Sequence, residues 1–144
     1  VERTRGAFDD KALVGDILPD DPRALFAAAA QLFPQRDDPG RLPFYRKARG
    51  LLERPGALRS ADDYHLAAVV YEVLGEADKA RSAYDAALAR APAKAEWRCE
   101  LARLLRRQGR LAEARRQVTT VLAAQPGHAE ARRLWDALAN DMVE

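Results

Sequence analysis

Residues 61–94, ADDYHLAAVVYEVLGEADKARSAYDAALARAPAK, are followed without a break by residues 95–128, AEWRCELARLLRRQGRLAEARRQVTTVLAAQPGH. Laid over each other with no gap, the two stretches share eight identities in 34 positions. Ala61 falls on Ala95, Ala68 on Ala102, Gly75 on Gly109, Ala80 on Ala114, Arg81 on Arg115, Leu88 on Leu122, Ala89 on Ala123 and Pro92 on Pro126. Alanine and arginine are abundant in this chain, so those matches alone say little. The glycine and proline matches carry more, because both residues punctuate structure. A fixed period of this length is the signature of a stacked repeat architecture.

Each stretch reads as two helices. In the first, Tyr64, Ala67, Ala68 and Tyr71 recur at three- and four-residue spacing, so one apolar stripe predicts a helix from Ala61 to Leu74. Gly75 supplies the left-handed conformation that closes a helix. A second helix is predicted over Ala77–Arg90, with Ala80, Tyr84, Ala87 and Leu88 inward and Pro92 ending it. The second stretch repeats this with Trp97, Leu101, Leu104 and Leu105, then Gly109, then Leu111, Ala114, Val118, Val121 and Leu122, then Pro126. Small residues at the helix crossing allow an approach of about 8–10 Å.

This pattern resembles the tetratricopeptide repeat family, whose unit is a 34-residue helical hairpin. Ala68 and Ala102 stand at the family's small position in the first helix, and Ala80 and Ala114 at its alanine in the second. Tyr71 with Leu105, and Tyr84 with Val118, take its large positions. Two departures stand out. A later small position is Ala87 in the first unit but Val121 in the second. The bulky residue near the start is Tyr64 in the first unit, whereas the second has Arg98 there and Trp97 one place earlier, which leaves its entry packing open. The resemblance implies an all-α fold, a right-handed superhelical array of antiparallel helix hairpins.

Outward from the two units, Ala129 opens a further helix in the same register, with Ala131, Leu134, Trp135, Leu138 and Met142 apolar. The small position there is Asp136, which suits a terminal cap with a polar outer face. Upstream, Asp21-Pro22 marks a helix start, predicted to run to Phe33 with Leu25, Phe26, Ala29, Leu32 and Phe33 apolar. Residues 35–41 read as a loop. A helix is predicted from Pro43 to Arg54, with Phe44, Tyr45, Ala48, Leu51 and Leu52 apolar, and residues 8–18 as a short helix or tail. The reading is one domain: an extension with a degenerate hairpin over 1–60, units over 61–94 and 95–128, and a capping helix over 129–144.

Composition agrees. Of 144 residues, 30 are alanine and only 12 are β-branched, too few to furnish a sheet. The 48% hydrophobic and 32% charged content is that of a globular chain. The excess of Arg over Lys, 20 to 4, reads as the bias of a GC-rich bacterial genome. A single cysteine excludes a disulfide framework and a Cys-rich metal site. No apolar run reaches the roughly 18 residues of a membrane span, so no membrane insertion is expected within this chain. The N-terminus lacks the apolar core of a signal peptide. Because the first residue is Val, the chain is read as a piece of a larger protein, with the cytoplasm favoured over the periplasm.

The sequence offers little catalytic chemistry. Cys99 and His65 fall side by side on adjacent first helices by repeat position, but no third group orients them. The adjacent pairs Asp20-Asp21, Asp37-Asp38 and Asp62-Asp63 suit helix caps and loops better than metal ligands. No cofactor, no metal and no enzymatic activity are expected. Residues 1–89 carry 13 basic and 15 acidic side chains, residues 90–144 carry 11 and 7. Arg103, Arg106, Arg107, Arg110, Arg115 and Arg116 cluster within one hairpin. They read as a solvated helix surface or as a patch facing an acidic peptide, and the lack of interleaved aromatic residues speaks against nucleic acid.

The resemblance implies an interaction scaffold that holds an extended peptide or a helix of a partner protein on its concave face. By repeat position that groove carries Asp62, His65, Val69, Glu72 and Val73, then Glu96, Cys99, Arg103, Arg106 and Arg107, then Glu130 and Arg133. The family's chaperone-binding members grip a terminal carboxylate with a Lys, Asn and Arg clamp. Here His65 and Val69, Glu100, and Glu130 and Leu134 stand at those positions, so heat-shock-protein tails are not expected to bind. The alternative is a structural spacer or self-associating unit of a cell-envelope or polysaccharide-export assembly, in which the chain forms a homo-oligomer.

Overall fold

Asp21 takes an extended backbone, and its carboxylate accepts the amide of Arg23 at 3.2 Å. With Pro22 behind it at the first helical position, this starts α1, Pro22–Leu32. The structure, a computed structural model, describes residue 18 and residues 20–143. The short helix or tail expected over 8–18 lies outside the described residues apart from Leu18, which packs partly buried against the core. After α1 the chain turns through a 3-10 turn, Pro39–Arg41, into α2, Leu42–Leu52. Then follow α3 (Ala61–Val73), α4 (Ala77–Arg90), α5 (Ala95–Arg107), α6 (Leu111–Ala124) and α7 (Ala129–Asp141). Among the described residues there are seven α-helices and no strand.

The hairpin turns follow from glycine. Gly75 and Gly109 have φ of 80° and 77°, where a side chain is strained. Each closes a Schellman motif: Glu76 N donates to Tyr71 O and Gly75 N to Glu72 O, and 34 residues on Arg110 N donates to Leu105 O and Gly109 N to Arg106 O. The two turns are therefore the same to the hydrogen bond.

Consecutive helices pack as antiparallel neighbours, and each hairpin stacks on the next: α2 on α3, α4 on α5, and α7 against both α5 and α6. Ala68, Ala80, Ala102 and Ala114 are fully buried at the crossings, beside Tyr84, Leu101, Leu105 and Val118. One continuous core runs from Leu25 to Leu138. This is an all-α repeat solenoid, in which each unit buries its open face on its neighbour.

Several expectations need correction. Leu32 is not part of the inward stripe of α1; it is 46% exposed, while Phe33, one residue past the helix, is buried. The segment expected as loop ends in the 3-10 turn, and α2 stops at Leu52 rather than Arg54. Met142 lies past the end of α7 and is 42% exposed. The entry of the second unit is resolved by Trp97, which is buried and stacks on His65 at 4.5 Å and 8° between planes. Arg98 instead donates to Gln117 Oε1 at 2.9 Å and to the carbonyl of Pro92 at 3.2 Å.

The N-terminal hairpin is held by Arg41, a buried arginine. Its Nε donates to Phe33 O at 2.7 Å, Nη2 to Pro34 O at 3.1 Å and Nη1 to the Tyr45 hydroxyl at 3.0 Å. The aspartates act as caps, as their positions suggest. Asp38 accepts Gly40 N at 2.9 Å, and Ser60 with Asp63 forms a capping box at the start of α3.

Candidate functional site

The first helices of the successive hairpins, α3, α5 and α7, lie side by side, and the side chains on their shared face follow from the repeat. Positions 62, 66, 69 and 73 of α3 correspond by the 34-residue period to 96, 100, 103 and 107 of α5. Asp62, Glu96 and Arg107 are exposed, Leu66, Val69, Glu100 and Arg103 are half-buried, and Val73 is 42% exposed. Leu66, Val69 and Val73 make an aliphatic column on α3. The matching column on α5 is wholly charged.

Polar contacts tie the three helices together. His65 Nε2 lies 3.0 Å from Glu100 Oε2. Glu72 pairs with Arg107, and its other oxygen accepts the Tyr84 hydroxyl at 2.7 Å. Arg103 pairs with Glu130. Arg106 donates from Nε to Asp141 Oδ2 at 2.6 Å, which lowers the carboxyl of Asp141. Arg110 pairs with Glu113 at 3.5 Å, and the guanidinium of Arg115 sits 4.4 Å from the centre of the Trp135 ring. The arginines that cluster in the sequence thus mostly meet a carboxylate or a ring of this same chain. Asp62 and Glu96 have no hydrogen bond or ion pair among the described residues.

Of the expected groove residues, the structure brings Asp62, His65, Val69, Glu72, Val73, Glu96, Arg103, Arg107 and Glu130 to this face or its edge. It does not bring Cys99. That side chain is fully buried, and burial, then the charge of Glu130, pushes its thiol up to about 11. A protonated, enclosed thiol is neither a ligand contact nor a nucleophile. Arg106 turns towards the end of α7 through Asp141. Arg133 occupies the column of His65 and Cys99, and on α7 that column is exposed. Asp136, at the position where Ala68 and Ala102 are buried, is exposed as well. Sequence reasoning missed Leu66 on this face, and its repeat position, shared with Glu100, would have found it.

A second opening, about 480 Å³, lies on the other side of α3. It is lined by Leu58, Tyr64, Tyr71, Ala83 and Ala86, with Glu53, Asp78, Lys79 and Ser82 at its rim. The Tyr71 hydroxyl donates to Glu53 at 2.7 Å; burial first, then this bond, raises the phenol to about 12. Among the described residues no group of His, Cys, Asp and Glu is placed to hold a metal ion. No helix among them is long and apolar enough to cross a membrane.

Helix hairpins stacked at a 34-residue period, with small residues at each crossing and glycine at each turn, define a helical-repeat protein. Residues 74–138 match the family model described as tetratricopeptide repeat, and this part of the chain is tetratricopeptide repeat sequence. Among solved structures it is similar to TTC0263, a thermophilic TPR protein of Thermus thermophilus, with 26% identity over 92% of this chain and 71% of that one, at a TM-score of 0.66. It shares the fold of MamA, at 18% identity over 97% of this chain and 81% of that one, with a TM-score of 0.65. It also shares the fold of YrrB, described as a TPR protein with an unusual peptide-binding site, at 20% identity over 94% of this chain and 75% of that one, with a TM-score of 0.61. No curated protein sequence matches the chain.

Proposed function

We propose that this protein is a non-catalytic interaction module that holds a segment of a partner protein on the face built by α3, α5 and α7. The observation that carries this is the aliphatic column Leu66, Val69 and Val73, which stays open on a solenoid whose crossings are otherwise closed. A half-buried aliphatic column that ends in an exposed valine and is flanked by polar side chains offers a contact surface to a partner. The family fold and the peptide-binding site described for YrrB support the same reading. The titratable groups speak for binding over chemistry: the Cys99 thiol is enclosed, and His65 is engaged by Glu100 and Trp97. Helix α7 is proposed to close the array, because Arg133 and Asp136 stand where the preceding first helix buries Cys99 and Ala102.

The test is capture of partners from lysate on the wild-type chain and on Val69→Asp with Val73→Asp, two changes at positions that carry no core packing of the hairpin crossing. Partners retained by the wild type and lost by the variant, at unchanged helicity, support the reading. Identical partner sets on both would move the interaction off this face.

A further inference from the structure

The sequence suggests an acidic partner because arginines are numerous, but a guanidinium already paired with a carboxylate of its own chain offers little to a ligand. Displacing Glu72 from Arg107, or Glu130 from Arg103, exchanges one ion pair for another. It also frees a carboxylate beside the incoming one, and like charges at that distance repel. On α3 and α5 the charges of this face with no partner among the described residues are Asp62 and Glu96, both exposed and both in the first turn of their helices, while the exposed Arg133 stands apart from them on α7. Asp62 and Glu96 occupy the same repeat position on neighbouring helices. The aliphatic column begins one turn further along α3, at Leu66, and runs to the exposed Val73.

Resting on the interaction reading above, we propose that the segment bound on this face is basic and aliphatic, not acidic. A Lys or Arg side chain lies between Asp62 and Glu96, and a Leu, Ile or Val side chain lies over Val69 and Val73, while the paired arginines set the spacing of the helices. Spacing follows from helix geometry. Val69 and Val73 lie seven and eleven residues along α3 from Asp62, about 10 and 16 Å at roughly 1.5 Å per residue. An extended segment covers roughly 3.3 Å per residue, so the basic and aliphatic residues of the partner stand about three to five positions apart.

The experiment is selection from a random 12-residue peptide library displayed on phage against the whole chain. NMR titration of the enriched peptides into labelled protein follows. The expected result is enrichment of Lys or Arg three to five residues from an aliphatic side chain, with the largest shifts at residues of α3 and α5. Asp62→Lys with Glu96→Lys is expected to weaken such a peptide at least tenfold at unchanged helicity. Arg107→Ala, which releases Glu72, leaves the affinity unchanged or tighter. Enrichment of Asp or Glu, or a loss of affinity on Arg107→Ala without loss of helicity, overturns the basic preference and leaves the face intact. Enriched peptides that shift only residues around Tyr64, Tyr71 and Ala83 overturn the face itself. No enrichment overturns both.

Discussion

Replacing Arg41 with alanine tests whether one buried side chain holds the N-terminal hairpin. Its guanidinium spans the α1–α2 connection, bonding the carbonyls of Phe33 and Pro34 and the hydroxyl of Tyr45. None of these acceptors is a carboxylate, so removing Arg41 leaves no orphaned charge. It does leave acceptors unpaired. Pro34 is exposed and water replaces the bond to its carbonyl. Tyr45 is buried, and a buried hydroxyl that loses its donor costs roughly 1–3 kcal/mol. With the lost packing of the arginine stem, the expected loss is about 2–4 kcal/mol. At roughly 3 °C per kcal/mol for a domain of this length, the melting temperature falls by about 6–12 °C. Units of a solenoid touch only their neighbours, so amide hydrogen exchange should accelerate in α1 and α2 and little in α5 and α6. Arg41→Lys, which can reach one carbonyl but not both, should fall between. An Arg41→Ala chain with unchanged melting and unchanged exchange in α1 would refute the assignment of Arg41 as the fastener.

Gly40→Ala places a Cβ about 2.4–2.7 Å from the Phe33 ring, which is held between α1 and α2, and should destabilise by about 1–3 kcal/mol in chemical unfolding. Ala80→Trp, at a fully buried crossing, should lower thermal stability at least as much; an unchanged melting temperature would break the helix register given for α3 and α4. Asp63 accepts the amides of Ser60 and Arg59 and pairs with Arg23, contacts that hold its carboxyl well below its ordinary range. Because the folded value is the lower one, its contribution is present above about pH 4 and disappears as the pH falls further; Asp63→Ala should cost about 1 kcal/mol at pH 7 and flatten the acid limb of the stability profile. Deleting residues 129–144 should uncover the faces of α5 and α6 that α7 covers and produce self-association on gel filtration; a monomeric, equally stable product would show that α7 is not a cap.

The helices of the two clear units were legible because their signals are local. Ala61, Ala77 and Arg90 bound helices as the apolar spacing predicts, and the turn glycines take the positive φ their position requires. The N-terminal hairpin was less so. From Pro22 to Ala61 the chain advances 39 residues against a period of 34, the excess lying in connections whose order depends on Arg41 and on a glycine fitted under Phe33. Neither leaves a periodic trace. The exposure of Leu32 has the same origin: Phe33, just past the helix, takes the inward place.

The charged face was hard to read for a different reason. Counting arginines within one hairpin treats neighbours in sequence as neighbours in space, whereas most of their partners lie on the adjacent hairpins. His65 with Glu100, Glu72 with Arg107 and Arg106 with Asp141 are each 35 residues apart. That separation follows from the fold. A 34-residue period sets equivalent positions of successive first helices side by side, and a side chain reaching one place further along meets the adjacent helix. Opposite charges 35 apart could thus be cancelled on the sequence before any surface charge is read. Asp62 has Trp97 at that distance, and Glu96 has Ala61 on one side and Ala131 on the other. Neither is cancelled, so the unpaired charge that α3 and α5 leave on this face is negative, opposite in sign to the chain's formal net charge of +2.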